Sequence, residues 1–157
     1  MKKRLIYFCL TVAVLAGACK KDNVQDIDTE YPVIDITADN AFPKQCSMVK
    51  RGEKLIFRAR LNDNVALGSV SVDIHHNFDH HAHSTEVESC ELAPVKIPLK
   101  PFLLIQSYNI PENLKTYEVQ QEISVPADID PGDYHFMIRV TDEAGWQTIK
   151  GLSIKVN

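Results

Sequence analysis

The sequence contains no complete catalytic motif. It has neither a Gly-x-Ser-x-Gly nucleophile motif nor a glycine loop of the kind that binds phosphate, and no Ser–His–Asp arrangement can be assigned. Helical periodicity is also missing, because no segment repeats its apolar residues every 3.6 positions. We therefore expect neither an enzyme nor a helical domain.

No apolar run is long enough to span a membrane comfortably, because the longest covers only residues 5–18. This run follows basic residues and ends in small ones, which predicts a secretory signal over residues 1–18. The run ends in Leu15-Ala16-Gly17-Ala18-Cys19. This junction resembles the lipobox of bacterial lipoproteins. The resemblance implies a lipid on Cys19 and an outer-membrane lipoprotein of the cell envelope, periplasmic or surface-exposed. The alternative is an ordinary signal cut near Ala18, which would release a soluble protein.

Basic residues are in the minority, with 17 Lys and Arg against 21 Asp and Glu. Cleavage after residue 18 removes three basic residues and no acidic ones, which leaves 14 against 21 and a net charge of −7 with His neutral. This charge argues against nucleic acid as a partner. Attachment to the membrane would therefore come from acyl chains on Cys19.

Only two of the four cysteines remain for the folded domain, because Cys9 lies in the signal and Cys19 would carry lipid. Cys46 and Cys90 form an even pair in an oxidising compartment, which favours a disulfide. The alternative is that Cys90 is a thiolate metal ligand, since it follows the histidine-rich stretch closely.

Alternating apolar and polar residues predict one β-rich domain over residues 32–157, after the lipidated cysteine and a flexible tether at residues 19–31. Six clear strands are predicted at 33–37, 54–61, 70–75, 117–125, 134–140 and 152–156. Residues 91–116 are rich in proline, and the apolar residues 102–105 within them predict an edge strand or a flap over the core. If exposed, they would form a partner-binding patch. About seven short strands are typical of a β-sandwich.

The sequence Asp130-Pro131-Gly132-Asp133-Tyr134 resembles the tyrosine corner of immunoglobulin-like domains. Antibody domains have a cysteine two positions after this tyrosine, whereas here the residue is Phe136. The resemblance is therefore to the broad immunoglobulin, cadherin and fibronectin type III group, and it implies an all-β, immunoglobulin-like or cadherin-like sandwich. The whole chain also resembles uncharacterised immunoglobulin-like lipoproteins of Gram-negative gut anaerobes, which implies fold and location but no activity.

Residues 74–83 contain five of the six histidines of the chain. Neutral imidazole is the commonest protein ligand for zinc, copper and nickel. We predict a zinc site with three or four N/O ligands, and copper and nickel remain alternatives. The candidate ligands are His75, His76, Asp79, His80, His81 and His83.

Strand phase selects three of these candidates. His75 would lie on the outer face of its strand, whereas His76 would face the core. If the chain returned as a strand from about residue 81, His81 and His83 would share a face and meet His75. Two acidic residues, Glu86 and Glu88, would then accept hydrogen bonds from the histidine ligands. The sixth histidine, His135, is predicted to be a solvated strand residue.

Three other interpretations remain open. The histidines are incidental if the domain is an adhesion or assembly module that contacts an envelope protein or glycan through a sheet edge or residues 102–105. The His-x-His alternation on a sandwich resembles that of copper–zinc superoxide dismutases. The glycine-rich surroundings and downstream ligands of those enzymes are missing from this sequence. A histidine cluster also gains charge below about pH 6.5, as a pH switch would. The favoured hypothesis is a lipid-anchored, non-catalytic binding module with a transition-metal site.

Overall fold

The computed structural model describes residues 27–157. The predicted signal at residues 1–18, Cys19 and the first part of the predicted tether lie outside this range. In residues 27–157, no helix is long and apolar enough to cross a membrane.

The described chain forms eight strands in two sheets. In chain order, they are β1 (Val33–Asp35), β2 (Ser47–Val49), β3 (Lys54–Asn62), β4 (Leu67–His76), β5 (Leu104–Asn109), β6 (Thr116–Ser124), β7 (Gly132–Asp142) and β8 (Gln147–Val156). One sheet has the order β1-β3-β6 and the other the order β2-β8-β7-β4-β5. The pair β2 and β8 is parallel, and the other neighbouring strands are antiparallel. This architecture confirms the predicted all-β sandwich.

The core lies between the two sheets because each long strand alternates apolar and polar residues. In β4, Val70, Val72 and Ile74 are buried between the sheets. Across the core, Phe57 of β3 packs against Phe136 of β7 with 5.5 Å between ring centroids. Each such buried side chain contributes roughly 1.5–3 kcal/mol. The residues between the buried ones in β4 lie on the outer face of the five-stranded sheet, where a functional site can form.

The predicted tyrosine corner is present. The Tyr134 hydroxyl donates a hydrogen bond to the Asp130 carbonyl at 2.6 Å, and it accepts one from the Phe102 amide at 3.2 Å. The Asp130 carboxylate accepts hydrogen bonds from the amides of Leu99 and Lys100, both at 2.7 Å. The corner therefore fixes the segment that leads into β5.

β2 and β5 differ from the sequence predictions, and β8 begins at Gln147, five residues before its predicted start. β2 lies between the first two predicted strands, where the sequence predicts none, because a three-residue strand is too short to show alternation. β5 is an edge strand, as predicted for this region, but its bounds are shifted towards the C-terminus. Phe102, just before it, is buried in the core, whereas Ile105 is 81% exposed.

The connection between β4 and β5, residues 77–103, contains no strand. The possibility that the chain returns as a strand from about residue 81 is therefore wrong. The chain instead runs across the outer face of the five-stranded sheet, where the Thr85 amide donates to the Gly151 carbonyl of β8 at 2.9 Å. We call residues 77–103 the crossing loop.

A disulfide fixes the crossing loop to the sandwich. The Sγ atoms of Cys46 and Cys90 are bonded, which confirms the predicted pair across a sequence separation of 44 residues. The alternative role of Cys90 as a thiolate metal ligand is therefore wrong. Cross-linking a loop of this length stabilises a fold by about 4 kcal/mol in the chain-entropy model.

Candidate metal centre

Three histidines converge on the outer face of the five-stranded sheet. His75 belongs to β4, while His81 and His83 belong to the crossing loop where it folds back over this face. One ring nitrogen from each lies within 4.8 Å of the corresponding nitrogens of the other two. These are the three histidines that strand phase selects, although the loop reaches this position without forming a strand.

One of the three distances between ring nitrogens is close to the ligand spacing around a small metal ion. His75 Nε2 and His83 Nδ1 are 3.1 Å apart. Donors in a tetrahedral site with Zn–N bonds of about 2.0–2.1 Å are roughly 3.3 Å apart. The His81 ring stacks on His75 with an interplanar angle of 10° and lies 4.8 Å from the His83 ring, centroid to centroid.

Two aspartates orient two of the three rings. Asp73 Oδ1 is hydrogen-bonded to His75 Nδ1 at 2.9 Å, and Asp79 Oδ1 is hydrogen-bonded to His81 Nδ1 at 2.5 Å. The second bond lowers the pKa of Asp79 below its ordinary value. A carboxylate that holds Nδ1–H leaves the Nε2 lone pair free, which is how metal-binding histidines are commonly held.

His135 lies beneath this cluster, and the prediction that it is solvated is wrong. Its register on β7 places it directly across from His75, and its side chain is 1% exposed because the crossing loop covers it. Its Nε2 donates to the His81 carbonyl at 2.9 Å, and burial lowers its pKa. His135 therefore supports the loop that carries His81. Its position beside the cluster follows from the pairing of β7 with β4, which places it opposite His75.

The remaining predicted ligands do not join the three histidines. His80 Nε2 donates to the Ala93 carbonyl at 2.9 Å, and the ring of His76 packs against Phe78 with 5.0 Å between centroids. Asp79 contacts the site only through its hydrogen bond to His81.

The predicted acceptors Glu86 and Glu88 do not contact the imidazoles either. Glu86 forms an ion pair with Lys150 at 2.6 Å, and the carbonyl of Glu88 accepts a hydrogen bond from the Gln45 side chain. Asp73 and Asp79 have the predicted role instead. Residues 73 and 75 are two positions apart on one strand, so their side chains share a face.

The crossing loop approaches β8 too closely for any residue except glycine at position 151. A Cβ atom at Gly151 would lie 2.0 Å from the His83 carbonyl oxygen. Gly151 therefore allows the loop to place His83 beside His75.

Residues 17–157 match the family described as "Domain of unknown function (DUF4625)". The chain belongs to this family. No curated protein matches. Among solved structures, the DUF4625 chain is similar to a "GspB Siglec domain", with a TM-score of 0.44 and 21% identity over 83% of this chain and 59% of the other. The match thus covers less than two thirds of the length of that solved chain.

A groove adjoins the histidines of this DUF4625 domain. Its volume is about 410 Å³, and it lies on the outer face of the five-stranded sheet. It is lined by Ser71, Asp73, His75, His83, Ile105, Met137, Arg139 and Ile149. An ion held by three imidazoles would therefore have an accessible side where a further ligand could bind.

Proposed function

We propose that this protein is a lipid-anchored, non-catalytic binding module of the cell envelope that binds a transition metal ion, zinc in the first place. The convergence of His75, His81 and His83 carries the proposal. Zinc commonly takes three protein ligands and one exchangeable ligand, and imidazole also suits copper and nickel.

The arrangement favours a bound ion for two reasons. Two of the rings are already held by carboxylates, so little side-chain freedom is lost when Nε2 of His75 or His81 coordinates a metal. The ion would also join β4 to the crossing loop, whose His81 and His83 have no strand pairing to hold them. Metal binding would therefore stabilise the folded loop.

Isothermal titration of the full-length protein, purified in detergent, with zinc, copper and nickel tests this proposal. His81→Ala removes one converging ring, whereas His80→Ala removes a histidine of the same loop that bonds to Ala93 instead. We expect His81→Ala to weaken zinc binding at least about tenfold and His80→Ala to leave it unchanged. Equal affinities in both variants would mean unspecific binding by surface histidines and would contradict the proposal.

Lipid attachment at Cys19 has its own test. Two features of the sequence support the attachment. A lipobox-like sequence ends at Cys19, and polar residues follow this cysteine. A radiolabelled fatty acid fed to producing cells should label the protein, and Cys19→Ala should abolish the label and release the protein from membranes. A Cys19→Ala protein that stays in the membrane fraction would contradict lipid anchoring.

A second candidate function, adhesion or assembly through the β5 edge, is favoured by one observation. Leu103 and Ile105 are 66% and 81% exposed at the free edge of the five-stranded sheet. Such an edge offers unpaired backbone groups and apolar side chains to a protein or glycan partner. Ile105→Ser should then abolish binding to a panel of envelope proteins and glycans, while His81→Ala should not affect it.

A further inference from the structure

A second cluster of potential ligands lies at the opposite end of β4 from the histidines. It consists of Asp28 in the segment before β1, Asp63 in the turn between β3 and β4, and Asp142 at the end of β7. One carboxylate oxygen of each lies within 4.8 Å of the corresponding oxygens of the other two. We call these three residues the aspartate cluster.

The two oxygens of each carboxylate have different surroundings. The Oδ1 atoms accept backbone hydrogen bonds, from Glu30 to Asp28, from Val65 and Ala66 to Asp63, and from Trp146 to Asp142. The Oδ2 atoms of all three are buried and have no hydrogen-bond partner. Asp142 as a whole is only 4% exposed. Buried polar atoms in native proteins nearly always have a partner, so these three oxygens need one.

A cation would be a suitable partner for the three Oδ2 atoms. Three carboxylates this close repel one another, and burial away from water strengthens the repulsion. Among residues 27–157, no Lys, Arg or His side chain lies within ion-pair distance of these carboxylates. A bound cation would satisfy the three Oδ2 atoms and neutralise the charge.

The donor chemistry selects the kind of cation. The cluster offers carboxylate oxygen only, with neither imidazole nor thiolate, which suits hard ions and not zinc or copper. Calcium accepts six to eight oxygens in irregular geometries, whereas magnesium requires a near-ideal octahedron. We infer that the aspartate cluster is a calcium site.

This site would join the N-terminal segment to the sandwich. Asp28 lies outside the two sheets, and its carbonyl accepts a hydrogen bond from Trp146 Nε1 at 2.9 Å. Tyr31 packs edge-on against the same indole, with 4.9 Å between ring centroids. Calcium would add a bond from Asp28 to Asp63 and Asp142, and so fix the segment that follows Cys19 by nine residues.

Calcium binding can be followed through Trp146, the only tryptophan of the chain. The full-length protein in detergent is stripped with a chelator and titrated with calcium up to about 10 mM, which covers the range of extracellular calcium modules. Asp28→Asn and Asp63→Asn are the test variants, because Asn keeps an Oδ1 acceptor for the backbone amides. Asp39→Asn, at an exposed position outside the cluster, is the matched control. Tryptophan emission and melting temperature are recorded.

We expect calcium to change Trp146 emission and to raise the melting temperature of the wild type and Asp39→Asn. Asp28→Asn and Asp63→Asn should lose the response, with at least about tenfold weaker binding. In chelator, both variants should melt above the wild type, because one repelling charge is gone. Absence of any calcium response in the wild type, or an unchanged response in both variants, would overturn the inference. His81→Ala should keep the calcium response, which separates this site from the histidine site.

Discussion

Asp73 and Asp79 determine which ring nitrogens of His75 and His81 are available to the proposed metal ion. Each holds the Nδ1 side of a histidine, so Nε2 is the nitrogen left for a metal ion, and Nε2 of His75 already faces His83 Nδ1 at 3.1 Å. Ligand orientation by such carboxylates typically changes metal affinity 10- to 100-fold.

Replacing Asp79 tests this role at the scale of one residue. Asp79→Asn keeps the shape of the side chain and removes its charge, so we expect zinc affinity to fall roughly tenfold with little change in stability. Calorimetric titration measures the affinity, and circular dichroism checks the fold. Asp39→Asn is the control at an exposed position. A zinc affinity equal to that of the control would show that Asp79 does not orient His81.

At the scale of elements, the contact between the crossing loop and β8 depends on Gly151. Gly151→Ala places a methyl group 2.0 Å from the His83 carbonyl, so the loop must move away from the strand. We expect a loss of about 1–3 kcal/mol in the free energy of unfolding and much weaker zinc binding. Urea unfolding and zinc titration measure the two effects. Ser153→Ala on the same strand should show neither, and a normal zinc site in Gly151→Ala would contradict the geometry.

The disulfide is the second anchor of the crossing loop. The double variant Cys46→Ser, Cys90→Ser should lose about 4 kcal/mol of unfolding free energy, because the unfolded chain regains the freedom of a long closed loop. Urea unfolding measures the loss. If the wild type under reducing conditions were as stable as the oxidised protein, the disulfide would contribute nothing.

Asp130 is a third anchor and makes stability depend on pH. The amide hydrogen bonds from Lys100 and Leu99 lower the pKa of Asp130 below its ordinary value of 3.8. A lowered pKa in the folded state stabilises the protein above pH 3.8, and this contribution is lost as the pH falls through the lower, folded value. Asp130→Asn should therefore melt below the wild type at neutral pH, and the difference should shrink in acid. If the difference in melting temperature between Asp130→Asn and the wild type were the same at neutral and at acid pH, Asp130 would not be the source of the pH dependence.

At the scale of the whole molecule, the sequence predicts the sandwich well because alternation records which face of a strand is buried. β3, β4, β6, β7 and β8 all alternate over long stretches. β2 has three residues and gains its position only from pairing with β8, so no local pattern reveals it. The path of the crossing loop depends on anchors at distant residues such as Gly151 and Asp130, which periodicity does not record.

The candidate metal centre could be predicted only in part for the same reason. His75, His81 and His83 are close in sequence, so strand phase suffices to select them. His135 is 52 positions after His83 and reaches the cluster through the register between β4 and β7. The aspartate cluster combines three segments separated by dozens of residues, and no motif of the sequence links them.

The two proposed metal sites should act independently. They lie at opposite ends of β4, whose ten residues span about 30 Å, and they share no ligand. Each ion at 100 times its dissociation constant should stabilise the fold by about 2.7 kcal/mol, and the two effects should add within about 0.5 kcal/mol. Thermal melts with zinc, with calcium and with both ions test additivity. A combined effect far from the sum would indicate coupling between the ends.

The direction of β4 also bears on the proposed lipid anchor at Cys19, because the two candidate metal sites lie at its opposite ends. Asp28 follows Cys19 by nine residues and contacts Trp146 in the turn between β7 and β8, near the start of β4, whereas His75 is at the other end of β4. A protein held by a lipid at Cys19 would then carry its histidine site about 30 Å farther from the anchored end than the aspartate cluster. Metal ions would be taken from the aqueous phase beyond the headgroups, where the electrostatic field of the membrane surface, screened over about 10 Å, is weak.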